Sequence, residues 1–231
     1  MYKETYDDVN IRNKQYCVMD YIKEIYQSND ICLDLGCGSC RKIKKVANKV
    51  KYYYAIDCDV ARIAVAKQEC KNDNNIILGV GDNFYLPFED NKFDLVSCFM
   101  TKYNVCEVSR VLRDRGIFII ETVGADDKRD LKLKFGKDQL GWRGRMLYDT
   151  SDKHLERIKK SLLPFFNIKN IHHICFETYI KTDLLLELFQ MTNEIRCFDK
   201  IQDRDIIQSL GNDSGCVKFN EDRLIIIGEK K

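Results

Sequence analysis

The sequence predicts an α/β protein built on a parallel sheet with helices on both faces, and three observations carry that expectation. Short apolar runs alternate with amphipathic stretches from residue 31 to residue 123. The first apolar run closes on a glycine turn, as a strand entering a ligand loop does. The 231 residues, 45% hydrophobic and 32% charged, are enough for one ordinary globular domain with a sizeable core.

The elements follow in order. Val9, Val18, Met19, Ile22, Ile25 and Tyr26 recur at mostly helical spacing, predicting a leading helix over 8–28. Ile31 to Leu35 reads as a strand ended by Gly36. The alternation continues as a helix over 40–50, a strand over 52–57, a helix over 60–70 and a strand over 76–80. A strand over 93–99, a helix over 104–113 and a strand over 116–123 complete the run. Residues 124–150 are charged and punctuated by glycine, and a connection of that length is usually functional. Beyond it come a helix over 151–164, a strand over 168–179, a helix over 182–191 and a strand over 223–229. No repeat or low-complexity linker divides the chain. We therefore expect a single domain over 1–231, with a lid helix in 1–28, a ligand-binding core in 29–123 and a substrate-side half in 124–231. That half carries an inserted cap near 180–220.

Composition excludes several classes. The 38 Lys and Arg against 36 Asp and Glu leave a net charge of +2, which excludes a globally basic nucleic-acid binder, though not a local patch. No apolar run approaches the ~20 residues that span a bilayer. The acidic, non-apolar start is unlike a signal peptide. Eleven scattered cysteines, an odd number in a chain too large to need staples, suit a reducing cytoplasm.

The informative stretch is Asp34-Leu35-Gly36-Cys37-Gly38-Ser39-Cys40, between a strand and a helix. Glycines there let a ligand approach the backbone. The next strand ends at Asp57, 19 residues past Gly38, close to the spacing at which a carboxylate meets a ribose hydroxyl pair. A nucleoside ligand is implied. A dinucleotide fingerprint wants a glycine at position 41, where the chain has Arg41, and Asp34 would set an anion beside a pyrophosphate. A ligand bearing an ammonium and a sulfonium suits Asp34 better. The strand over 76–80 ends at Gly81-Asp82-Asn83, an acidic strand end suited to the exocyclic amine of adenine.

On these residues the chain resembles the class I S-adenosylmethionine-dependent methyltransferases, in the broad small-methyltransferase branch. The matching segments are Leu33 to Gly38, Ala55 to Asp57, Gly81-Asp82, Leu86 to Val96 and Glu107 to Leu112, spanning about residues 30–123. The resemblance implies a three-layer Rossmann-like fold of about seven strands with the last antiparallel, filled here by 223–229. It implies that Asp34, Gly36, Cys37 and Gly38 surround the methionine end of the cofactor S-adenosyl-L-methionine. Asp57 would hold the ribose, Cys58 would lie against adenine, Asp82 and Asn83 would meet its amine, and Cys98 would offer backbone near the sulfonium. Cys40 departs from the common third glycine, and Asp114-Arg115-Gly116 replaces the usual Pro-Gly-Gly.

The expected activity is methyl transfer by in-line displacement to a nitrogen or oxygen of a small-molecule acceptor, in the cytoplasm. The cofactor supplies the reactivity and the protein supplies position and a dry pocket, so no enzyme nucleophile is required. Tyr103, Glu121 and His154 are candidates for accepting the acceptor's proton. Ribosomal or transfer RNA is the less favoured acceptor, and a non-catalytic cofactor-binding regulator is a second alternative. No metal site is expected: Cys37 and Cys40 have no second pair for zinc, and His172 and His173, adjacent on a strand, point to opposite faces. The basic residues between Lys128 and Arg145 accompany Trp142, a pairing able to clamp an anionic or aromatic substrate, but interspersed aspartates dilute them. Tyr2, Tyr6 and Tyr16 are candidates for an N-terminal lid.

Overall fold

The computed structural model describes residues 16–212 and 215–231. Among them seven strands form one mixed sheet: β1 (Ile31–Leu35), β2 (Tyr52–Asp57), β3 (Ile76–Val80), β4 (Phe93–Phe99), β5 (Leu112–Val123), β6 (Phe166–Lys181) and β7 (Cys216–Lys230), in the order β3-β2-β1-β4-β5-β7-β6. The pairs from β3 to β5 are parallel, and β7 runs antiparallel to both β5 and β6. The expected architecture, with its antiparallel last strand, is therefore present.

The alternation of side chains along the central strands divides the core into two layers. Cys32, Tyr53, Ala55, Leu95 and Ile119 pack on one face with Val18, Met19 and Ile22. Leu33, Leu35, Val96 and Phe118 pack on the other, against α3 (Val105–Val111) and α5 (Ser151–Leu162). The helix α2 (Val60–Glu69) crosses between β2 and β3, opened by Asp59, whose side chain accepts from the N–H groups of Ala61 and Arg62.

Three expectations need correction. Among the described residues of the leading helix, 16–28, only α1 (Met19–Ile22) is α-helical, because no side chain caps its start and the Ile25 N–H bonds to the Ile22 carbonyl, tightening the chain out of the α-helix. Residues 8–15 of the expected helix, with Tyr2 and Tyr6, lie outside the described residues. The helix expected over 40–50 is two 3-10 turns, Ile43–Lys45 and Ala47–Lys49, separated at Val46, where φ is −127°. Its buried positions Ile43, Val46 and Val50 recur every three or four residues, a pattern that both helix types share. Finally, β7 is much longer than the expected strand over 223–229, β6 extends the expected strand over 168–179 at both ends, and the two pair along nearly their whole length.

The second half builds outward from that ribbon. The connection after β5 holds α4 (Arg129–Leu133) and a small hairpin pairing Lys137–Asp138 with Gly141–Trp142. Between β6 and β7 lie α6 (Thr182–Met191) and α7 (Arg204–Ser209), in the stretch where a cap is expected. Leu131, Phe135, Leu185, Phe189, Ile207 and Phe219 join them in a third apolar cluster.

Beneath this cluster is a buried charge network. Arg223, 1% exposed, donates to Asp127 at 2.5 Å and to Glu221 at 2.7 Å. Lys128 reaches Asp127 at 2.6 Å, and Lys132 reaches Glu194 at 2.7 Å. Burial opposes ionisation of Asp127, yet Lys128, Arg223 and Lys132 beside it hold its carboxyl well below the usual range. Deleting one member of such a network strands the others without a partner. Arg223→Leu is expected to lower unfolding free energy in urea by about 3–5 kcal/mol. Arg113→Leu, which breaks a half-exposed pair with Asp94, is expected to cost less than about 1 kcal/mol.

Candidate functional site

The loops leaving β1, β2, β3 and β4 gather at one edge of the sheet, beside the switch point where β1 lies between β2 and β4. Gly36 and Gly38 adopt φ of 67° and 54°, the left-handed region that glycine enters without strain. A Cβ on Gly36 would strike the Thr101 side chain at 2.7 Å, whereas a Cβ on Gly38 would meet nothing within 4 Å. The loop is packed underneath and open above.

Asp57 ties this loop to the next. One carboxylate oxygen accepts the Gly38 N–H at 3.0 Å, and the other accepts the Asp59 N–H at 2.9 Å. The Cys37 N–H donates to the Ile56 carbonyl at 2.9 Å, and the Gly81 N–H to the Asp57 carbonyl at 3.1 Å. Asp57 is buried at 4% exposure, while Cys58 beside it is exposed.

At the end of β3, Asp82 is exposed and accepts the Phe84 N–H at 2.9 Å. The Asn83 side-chain amide donates to the Lys102 carbonyl at 3.0 Å, joining the loops after β3 and β4, while its buried Oδ1 has no partner. Buried acceptors are seldom left so. An exocyclic amine is a donor that would satisfy it, so the residues present fit an adenine nucleoside. Cys98 is buried, with its thiol directed to the Thr101 carbonyl at 3.5 Å.

Asp34 lies under the glycine turn, 3% exposed, and accepts from Ser97 Oγ at 2.6 Å. Ser97 in turn meets the Tyr53 hydroxyl at 2.9 Å, and Tyr53 meets Tyr26 at 3.3 Å. Burial pushes the Asp34 carboxyl up to about 7, with Ser97 and Lys42 opposing and Asp57 and Glu121 adding repulsion. A cation arriving above Asp34 would favour its ionised form.

The three proton-acceptor candidates fall in different settings. Tyr103 packs edge-on against Phe118 at 5.0 Å, and burial pushes its phenol up, away from service as a base at neutral pH. His154 Nε2 is 3.0 Å from the Val123 carbonyl, and its other nitrogen lies 3.7 Å from Asp149. Glu121, 2% exposed at the end of β5, is the one joined to the loop: it binds Lys42 Nζ at 2.7 Å and the Tyr16 hydroxyl at 2.9 Å. Sequence reasoning missed Lys42, Ser97 and Thr101, and it took Tyr16 as a lid candidate, not as a partner of Glu121. A lysine directly after the glycine turn was the one available signal. A hydrogen bond with Cys37 and burial push the Cys40 thiol far up.

Known proteins resemble this chain in sequence and in fold. Residues 33–120 match the family model described as a methyltransferase domain. An uncharacterized protein of Methanocaldococcus jannaschii is 32% identical over 155 residues, 58% of this chain and 59% of that protein. The matched part thus spans under two thirds of that relative's length. The demethylmenaquinone methyltransferase of Staphylococcus saprophyticus is 27% identical over 172 residues, 62% of this chain and 73% of that enzyme. A solved structure from Bacillus halodurans shares the fold at a TM-score of 0.64 and 17% identity, covering 92% of this chain and 98% of that one.

A carboxyl raised by burial binds its proton more tightly folded than unfolded, so its contribution is full below the unfolded value of 3.8 and is lost as pH rises through about 7. About three units correspond to roughly 4 kcal/mol. Asp34→Asn should remove that part of the decline: between pH 4 and pH 8, melting curves of the variant should fall less than those of the parent chain.

Proposed function

We propose, from the match of residues 33–120 to the methyltransferase-domain family model, that this chain is an S-adenosylmethionine-dependent methyltransferase that moves the sulfonium methyl group by in-line displacement to a nitrogen or oxygen of a small-molecule acceptor. One observation carries the reading: a buried carboxylate at the tip of β2, anchored by the Gly38 N–H, beside an open glycine turn. In this reading Asp57 takes the ribose hydroxyls, Asp82 and Asn83 take the adenine amine, and Cys58 lies along the base. Asp34 sits with Gly36, Cys37 and Gly38 at the methionine end, and the backbone of Cys98 lies near the sulfur.

The bound cofactor supplies an electrophilic methyl group, and the chain's part is alignment and exclusion of water. Alignment alone is worth up to ~7–11 kcal/mol of barrier. Of the proton-acceptor candidates, Glu121 is favoured over Tyr103 and His154, because its partners Lys42 and Tyr16 hold a carboxylate at the end of β5. Those partners keep it in one orientation.

The small-molecule reading is supported over RNA by the fate of the basic residues in 124–150. Lys128 and Lys132 are buried against Asp127 and Glu194, and Arg143 makes a two-pronged bond to Asp203 at 2.8 Å for each prong. Charges neutralised in this way add little to a phosphate-binding groove. The Staphylococcus saprophyticus relative, by its name, methylates a demethylmenaquinone, an acceptor that is likewise not a nucleic acid. The cytoplasm is the proposed location, and no helix among the described residues is long and apolar enough to cross a membrane.

Asp57→Ala is expected to weaken S-adenosylmethionine binding at least about tenfold, or ~1.4 kcal/mol, in calorimetry. Unchanged affinity would remove Asp57 from the ribose role.

A further inference from the structure

On the half of the sheet away from the glycine turn, three side chains of different chemistry converge. His173 and Cys175 are two residues apart on β6 and so share a face, and Asp222 on β7 is the register partner of Cys175. Asp222 Oδ1 lies 2.6 Å from His173 Nε2 and 3.8 Å from Cys175 Sγ, and the thiol and imidazole are 3.9 Å apart.

The carboxylate is fixed from behind. Asp222 is 1% exposed, and its Oδ2 accepts the Asp126 N–H at 3.0 Å. It lies so close to Gly124 that a Cβ there would meet it at 2.1 Å, so the chain turns past it only as glycine. His173 and Cys175 are exposed, which leaves the open side of the cluster to solvent.

We propose that His173, Cys175 and Asp222 form a binding site for a divalent transition-metal ion of the zinc class, with solvent in the fourth position. The donor set selects the ion: an imidazole nitrogen, a thiolate and one carboxylate oxygen suit zinc, whereas magnesium and calcium want oxygen alone. Tetrahedral zinc with bonds of about 2.0–2.3 Å separates its ligands by roughly 3.3–3.6 Å. The two sulfur separations need to close slightly, and the imidazole and carboxylate need to part as the ion replaces the proton between them. On binding, the thiol proton goes to solvent, and the imidazole takes the neutral tautomer with its one proton on Nδ1, which frees Nε2 for the ion. Bound there, the ion joins edge strand β6 to β7 and, through the Asp126 N–H, to the start of the connection after β5. Adjacent histidines indeed face opposite ways, since His172 lies against Tyr21 with ring centres 5.4 Å apart. The ligand pair is His173 with Cys175, at the i, i+2 spacing of one strand face.

The test uses the full chain, reduced and stripped of metal, titrated with zinc against a chromophoric chelator and separately with cobalt. One equivalent should bind, and the cobalt form should show thiolate charge-transfer absorption with tetrahedral d–d bands. His173→Ala and Cys175→Ser should each lose that equivalent or weaken it at least tenfold, while His172→Ala, a change on the opposite face, should retain it. Both altered ligands are exposed, and circular dichroism would verify that the variants fold. Failure to bind zinc overturns the proposal, as does a zinc stoichiometry and affinity that His173→Ala and Cys175→Ser leave unchanged.

Discussion

The Asp57 carboxylate is the point on which the geometry of the candidate site depends. It takes one N–H from the turn after β1 and another from the start of α2, so two loops far apart in sequence are held at one distance. Buried carboxyl oxygens need such donors. Once Asp57 has them, its position is set before any ligand arrives. Preorganisation of this kind lowers the ordering cost of binding. The same strand end carries the carbonyl that accepts from Gly81, so the loop after β3 is drawn to the same edge.

Asp34 introduces an opposing requirement. Its burial beside Asp57 and Glu121 costs stability at neutral pH, and the hydroxyl series of Tyr26, Tyr53 and Ser97 offsets only part of that cost. Strain of this type, held in place by a packed sheet, is common where a charged ligand is to be received. The buried network around Asp127 and Arg223 differs in being nearly balanced in sign, and it lies where the cap meets the sheet. Its partners come from α4, the β7 strand and the segment after α6, so it fixes how those parts meet.

The central strands were legible to the residue. Ile31–Leu35, Tyr52–Asp57 and Phe93–Phe99 stand where their apolar runs placed them, because parallel strands buried on both faces have no need of polar alternation, and Ile76–Val80 does so at the sheet edge, where it is only partly covered. The segment after Cys40 misled, since Ile43, Val46 and Val50 satisfy helical spacing while Cys40, at φ 64°, and Val46 interrupt the helix. The extra length of β7 was hidden because Val217 and Phe219, buried in the third apolar cluster, alternate with Lys218 and Asn220, and the Glu221 and Asp222 that follow are buried as charged groups, which no apolar run announces. Asp34, Gly36, Gly38 and Asp57 were readable from spacing within one loop and the strand that follows. The contacts of Tyr16 and Lys42 with Glu121 were not, because the partners lie 105 and 79 residues apart. Neither was the His173, Cys175 and Asp222 cluster, which needs the β6 and β7 register to be seen.

The central claim is that this edge of the sheet receives a sulfonium nucleoside, and a crystal structure of the chain with S-adenosylhomocysteine tests it most directly. The account predicts the ribose hydroxyls on the Asp57 carboxylate, the adenine amine beside Asp82 and Asn83, and the sulfur above the Gly36 to Gly38 turn. A chain that takes up no nucleoside under those conditions, or one that holds it away from Asp57, contradicts it.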